Sequence, residues 1–127
     1  MTRINVGIPV KKLSDKHLLA EHREIKRIPN LVKAGRLSNK NQPEEFTLGT
    51  GHVKFFYDKL GFLLNRYKEI YEECLRRSFN VQDFSSAWEG IDPCLMNDYQ
   101  PTPKAIKLIE DRILERSLPA AKRSPST

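Results

Sequence analysis

Between Val53 and Arg77, Phe56, Leu60, Leu63, Leu64, Tyr67, Ile70, Tyr71 and Cys74 recur at three- and four-residue steps. That spacing puts side chains on one face only if the chain is an α-helix. A helix with so continuous an apolar face must bury it against other elements, and this requirement sets the class of fold. Gly61 is its one weak position, because glycine lowers helix stability. A second run, Ala105, Ile106, Ile109, Ile113 and Leu114, predicts a helix from Pro103 to Ser117, opened by Pro103 and stopped by Pro119. A third helix is predicted near the start. Ser14 is a suitable N-cap and Asp15 favours a first turn, so the helix should run from Asp15 to about Val32, kinked or interrupted at Pro29.

The segments between these helices lack period. Met1 to Lys12 contains Gly7 and Pro9 and reads as an extended arm; Gly35 and the Ser38–Pro43 stretch read as polar loop. Asn80 to Gln100 is irregular, broken by Gly90 and Pro93, with Trp88 as a packing anchor. Nothing alternates as a strand would, and nothing repeats. The expected architecture is a single all-α domain of three main helices over residues 1–118, followed by a flexible polar tail, residues 119–127. A chain of 127 residues, 39% hydrophobic, can form one core without staples. Cys74 falls in a helical pattern and reads as a small buried hydrophobe. Neither Cys74 with Cys94 nor the three histidines, His17, His22 and His52, have metal-ligand spacing. With no signal peptide and no long apolar run, a cytoplasmic location, reduced thiols and no membrane association are expected.

The charge is unevenly spread. The net charge is +6, but residues 1–40 hold 10 basic and 3 acidic residues, residues 41–98 hold 6 and 10, and residues 99–127 hold 6 and 3. If the two basic ends meet in the fold, they make one positive face, the electrostatic footprint of a polyanion binder. At roughly 100° per residue, Lys16, Ala20, Arg23 and Arg27 share an arc of the first helix. His17 and Glu24, seven residues apart, lie at its edge, and Leu18, Ile25, Ile28 and Val32 take the other side. Lys16 and Lys26 fit an ordinary solvated face, whereas Arg23 and Arg27 are better placed to fork phosphate oxygens. On the last helix Arg112 and Arg116 share a face. Asp111 and Glu115 beside them make that face, from the residues alone, a surface salt-bridge site.

A small residue at position 2 favours removal of Met1, which would leave Thr2 with a free α-amine. Such an amine has a pKa near ~8, against ~10.4 for lysine, and a neighbouring cation such as Arg3 lowers it further. It is a ready nucleophile toward an aldehydic carbon, and Glu24 could move protons for it if the arm folds back over the first helix. Other chemistries find less support. Gly49-Thr50-Gly51 lacks the Lys-Ser/Thr of a phosphate-binding loop, and Phe55-Phe56-Tyr57 reads as core.

Met1-Thr2-Arg3-Ile4-Asn5, His17-Leu18 through Arg23-Glu24 and Arg27, Gly51-His52-Val53 and Phe55-Phe56-Tyr57-Asp58-Lys59-Leu60 follow one another in order. Phe62-Leu63, Glu73-Cys74-Leu75, Arg77, Phe79-Asn80 and Asp98-Tyr99 continue the series. In these residues the chain resembles the phage endonuclease V (DenV) family of pyrimidine-dimer DNA glycosylase/AP lyases, from residue 1 to about residue 117. The resemblance implies a domain of three helices with the N-terminal arm threaded between them. It implies that the Thr2 amine attacks C1′ of a damaged nucleotide and displaces the base, and that β-elimination through an imino intermediate then cuts the strand. Glu24 matches the family's essential carboxylate. Arg3, Arg23 and Arg27 match arginines that contact phosphate and lesion, and His17 matches a histidine near the sugar. Arg112 matches a DNA-contacting arginine, and Arg116 stands where the family has a lysine, so the resemblance turns that pair from a salt-bridge site into a DNA contact. No metal or cofactor is implied. The expected partner is damaged double-stranded DNA, bound by a monomer.

The chain also departs from the pattern. Lys16 replaces a glutamine and His22 a tyrosine beside the site, the Leu31–Thr47 loop diverges, and Leu118 to Thr127 lacks the aromatic tail tied to dimer recognition. The competing expectation is therefore an AP lyase, or a non-catalytic DNA-binding relative, that has lost dimer specificity.

Overall fold

The arm, extended in its sequence and threaded between the helices as the resemblance implies, forms the centre of the core. In the computed structural model, which describes residues 2–117, Ile4 and Val6 have no exposed surface and Ile8 and Val10 are buried. A one-turn 3-10 helix, Val10–Lys12, ends the arm. Helix α1, Asp15–Glu24, then starts with the Ser14 hydroxyl accepting from the His17 N–H at 3.2 Å.

The first helix is not continuous. It stops at Glu24, and α2, Arg27–Lys33, begins three residues on. Pro29 causes this. Its ring would collide with the Ile25 carbonyl in an unbroken helix, and it has no N–H to give. The chain turns at Ile25–Lys26 instead, and the freed Ile25 carbonyl accepts from the Ile28 N–H at 3.4 Å. The arc that was to join Arg23 to Arg27 therefore ends at Arg23.

The long central helix is also divided, into a single turn α3, His52–Phe55, and the full helix α4, Leu60–Arg76. The dividing loop is crossed by the 96–97 segment. Lys59 bridges to Met96, and the Phe62 N–H donates to the Asn97 carbonyl at 3.1 Å. Gly61 makes the crossing possible, since a Cβ there would meet the Met96 carbonyl oxygen at 2.5 Å. The residue that looked like a weakness is where another backbone approaches.

Helix α5, Pro103–Ser117, begins at its predicted start and runs to the last described residue, and the Thr102 hydroxyl caps it by accepting from the Ala105 N–H at 3.1 Å. It packs on the arm at Gly7, where φ is +74° and a Cβ would lie 2.4 Å from Ile106 Cγ1. Among the described residues the only β pairing is the isolated Lys59–Met96 bridge, so the fold is all-α. Phe55, Phe56, Cys74 and Trp88 are buried as expected. Lys26 departs from its solvated reading: its Nζ sits 3.4 Å from the Phe84 ring centroid, a cation–π contact. The tail expected from residue 119 lies outside the described residues.

Candidate active site

Two carboxylates from one turn of α1, Glu21 and Glu24, face the arm. Glu21 is fully buried. Its Oε2 accepts from Arg66 Nε at 2.8 Å, and its Oε1 accepts from Arg66 Nη2 at 3.0 Å and from Asn5 Nδ2 at 2.8 Å. Arg66 Nη1 donates in turn to the Ile8 carbonyl at 2.6 Å. Burial opposes the Arg66 charge, but the Glu21 carboxylate more than offsets it and holds the guanidinium above its ordinary pKa. The pair is a forked buried salt bridge whose spare valences go to the arm at residues 5 and 8.

A third hold falls closer to the N-terminus. The Ile4 N–H donates to His52 Nε2 at 2.9 Å. With Nε2 accepting, Nδ1 must carry the proton, and it donates to the Thr47 carbonyl at 3.0 Å. Burial is the main cause that pushes His52 below its usual pKa, opposed by the bond to Thr47 and reinforced by the charges of Arg112 and Arg3. The arm is thus fastened to α1, α3 and α4 within five residues, with α5 closing over Gly7. Further along, Arg77 at the end of α4 donates to the Val10 and Lys11 carbonyls at 3.2 and 3.3 Å and to Asp15 at 3.0 Å.

Above this anchored arm opens a cavity of about 220 Å³, lined by Arg3, Asn5, His17, Ala20, Glu21 and Glu24. Three of the sequence-predicted residues, Arg3, His17 and Glu24, therefore meet at one hollow. Thr2 directly precedes Arg3 and is half-buried. Glu24 is sheltered, its side chain 15% exposed, and Arg23 Nη2 lies 3.8 Å from its carboxylate, on a guanidinium that is itself 60% exposed. His17 is held by Ser14, whose Oγ lies 3.1 Å from Nδ1. Partial burial, helped by the charges of Lys16 and Arg3, lowers its pKa and favours a neutral ring near neutral pH.

The remaining predicted residues are more scattered. Arg27 is exposed at the first position of α2, past the break, and does not line the cavity. Arg112 on α5 is half-buried and close enough to influence His52 together with Arg3, so the basic end of the chain does reach the arm. Arg116 lies one turn further along α5. His22, expected beside the site, faces the other way. It is buried, its Nε2 donates to the Gln82 carbonyl at 2.9 Å, and its ring packs on Tyr67 and Phe84.

Sequence reasoning missed Glu21 and Arg66 as the clamp and assigned no task to Asn5 or His52. A signal was present. Glu21 falls between Leu18 and Ile25 on the apolar side of α1, and Arg66 falls between Leu63 and Ile70 on that of α4. An acid and a base inserted into two facing apolar stripes imply a buried pair.

A helical fold whose N-terminal segment is the wall of a small polar cavity suits an enzyme that uses that segment chemically. A family model described as pyrimidine dimer DNA glycosylase matches residues 1–86, more than half of the chain. The chain belongs to this family of DNA repair glycosylases, and DNA is its substrate. The matched region contains the arm, α1, α2, α3 and α4 and so includes every residue of the clamp and the cavity; α5 lies beyond it. Among the described residues no helix is long and apolar enough to cross a membrane.

Proposed function

We propose that the protein excises pyrimidine dimers and then cuts the strand as an AP lyase, with the Thr2 α-amine as nucleophile and Glu24 as the proton-handling carboxylate. The observation that carries this reading is the cavity walled by Arg3, His17 and Glu24, with Thr2 one residue before Arg3 on an arm fixed by Glu21, Arg66 and His52. The amine nitrogen donates its lone pair to C1′. The C1′–N bond to the base breaks, and its electron pair leaves with the base. Loss of a proton from nitrogen and opening of the sugar give the imine. Abstraction of a C2′ proton then expels the 3′ phosphate and cleaves the strand. Glu24 is the one cavity carboxylate available for these transfers, because Glu21 is committed to Arg66 and Asn5. Arg3, Arg23, Arg27, Arg112 and Arg116 hold the phosphates, and His17 lies beside the sugar.

The test is borohydride trapping with Met-processed protein, its N-terminus verified by mass spectrometry. Two duplexes are used, one with an abasic site and one with a cyclobutane pyrimidine dimer. Covalent trapping on both is expected. Trapping on the abasic duplex alone would mean a lyase that has lost dimer excision, and trapping on neither would refute the amine mechanism.

The phosphate contacts carry their own prediction. Binding should weaken steeply with salt, and Arg27→Ala should reduce the slope of log K against log salt by about 0.9, as expected for one lost phosphate. Titrations of fluorescent duplex at several salt concentrations measure this. An unchanged slope would remove Arg27 from the interface.

A further inference from the structure

His52 does not line the cavity, yet it holds the backbone only two residues from Thr2. We propose that His52 is a positioning residue that keeps the Thr2 amine in register through the lone pair on its Nε2, so that the arm is correctly placed only while the imidazole is neutral. This inference rests on the amine mechanism proposed above.

The geometry allows one tautomer. Nε2 accepts from the Ile4 N–H and Nδ1–H donates to the Thr47 carbonyl, so both nitrogens are satisfied and neither has room for another proton. The rings of Phe46 and Phe56 pack against the imidazole nearly at right angles, 82° and 87°, with centroids 5.4 and 5.5 Å away, and so oppose its swinging aside. Protonation would point an Nε2–H at the Ile4 N–H, two donors face to face in a buried site, and the arm would have to give way. The charged groups around His52 are Arg3 of the arm, Arg112 of α5 and Glu21 of α1. Glu21 alone favours a charged ring, and it is already neutralised by Arg66. Burial and the two arginines resist protonation, so the contact holds below the ordinary histidine value of 6.5 before it fails. Placement errors of about 1 Å can cost about 100-fold in rate, so loss of this hold should be visible in the chemistry.

The experiment compares single-turnover trapping on an abasic duplex across pH ~5 to ~8, the range in which histidine titrates, for wild type, His52→Gln and His52→Phe. A glutamine amide can accept from Ile4 and donate to Thr47 but does not titrate. His52→Gln is expected to restore most of the neutral-pH rate that His52→Phe loses, about 100-fold. It should also remove the steeper part of the acid limb, leaving the fall due to protonation of the amine and of His17, which both proteins share. In parallel, amide exchange at Ile4 is followed by NMR in the wild-type protein. Protection should disappear as the His52 ring resonances titrate. An acid limb of the same steepness in wild type and His52→Gln overturns the proposal. If His52→Gln fails to fold, Ile4 protection that persists through the His52 titration overturns it equally. Absence of trapping by the wild type at neutral pH is a different result: it refutes the amine mechanism, whereas the Ile4 measurement still judges the hold itself.

Discussion

Glu24→Gln is expected to abolish strand cleavage while leaving binding to damaged duplex largely intact. Positioned acid–base groups contribute about 10²–10⁴-fold in rate, and the loss should fall in that range because no other cavity carboxylate can substitute. The nearest candidate is Glu21, one turn earlier on the same helix. Its oxygens already accept three hydrogen bonds from Arg66 and Asn5, and its counterion is buried with it. Taking up a proton there would strand the Arg66 charge, which costs far more than the step would gain. Binding should survive, since the Glu24–Arg23 contact is long at 3.8 Å and on the Arg23 side solvent-exposed, and such pairs contribute at most about 1 kcal/mol. Loss of a carboxylate beside the arginines proposed to hold phosphate should tighten the complex at low salt. Nicking of an abasic duplex and a gel-shift titration measure the two effects separately. Unimpaired nicking by Glu24→Gln would sink the assignment of this residue.

Much of this site could be read from the chain, and the parts that could not share a physical cause. The start of helix α5 was legible because Pro103 fixes it locally. The Ser14 cap was legible for the same local reason. The central helix was misjudged at Gly61 because the cause of its interruption is the backbone of residues 96–97, which no periodicity in residues 53–77 reveals. At Pro29 the cause was visible, but its effect falls four residues earlier, where the Ile25 carbonyl sits. Arg3, His17 and Glu24 were legible as chemistry and as resemblance, and they do meet at one cavity. What local patterns could not supply was the arm's path. Extended residues have no period to mark them, and their burial is determined by Glu21, Arg66 and His52, each contributed by a different helix.

That dependence makes Arg66 the residue whose loss should do most damage to the fold. Arg66→Met is expected to destabilise the protein by about 3–5 kcal/mol, a large share of the roughly 5–15 kcal/mol that holds a typical domain. The cost arises less from the lost bonds than from what remains. Glu21, with no exposed side-chain surface, would be left as a buried carboxylate without a counterion, and the Ile8 carbonyl would lose its donor. The pair itself need not be stabilising relative to apolar residues, so the double variant Glu21→Gln/Arg66→Met should recover a substantial part of the loss, because no charge is then stranded. Recovery of stability should not bring recovery of rate. In the double variant Asn5 can still find an acceptor in the glutamine amide, but nothing draws in the Ile8 carbonyl, and the arm is free to shift under the Thr2 amine. Urea unfolding and borohydride trapping on the same three proteins separate the two roles. If Arg66→Met lies within about 1 kcal/mol of wild type, the size of an ordinary surface pair, the clamp is not what fixes the arm. If the double variant regains both stability and full trapping rate, the arm is positioned by its apolar packing at Ile4 and Val6, and the charges serve only one another.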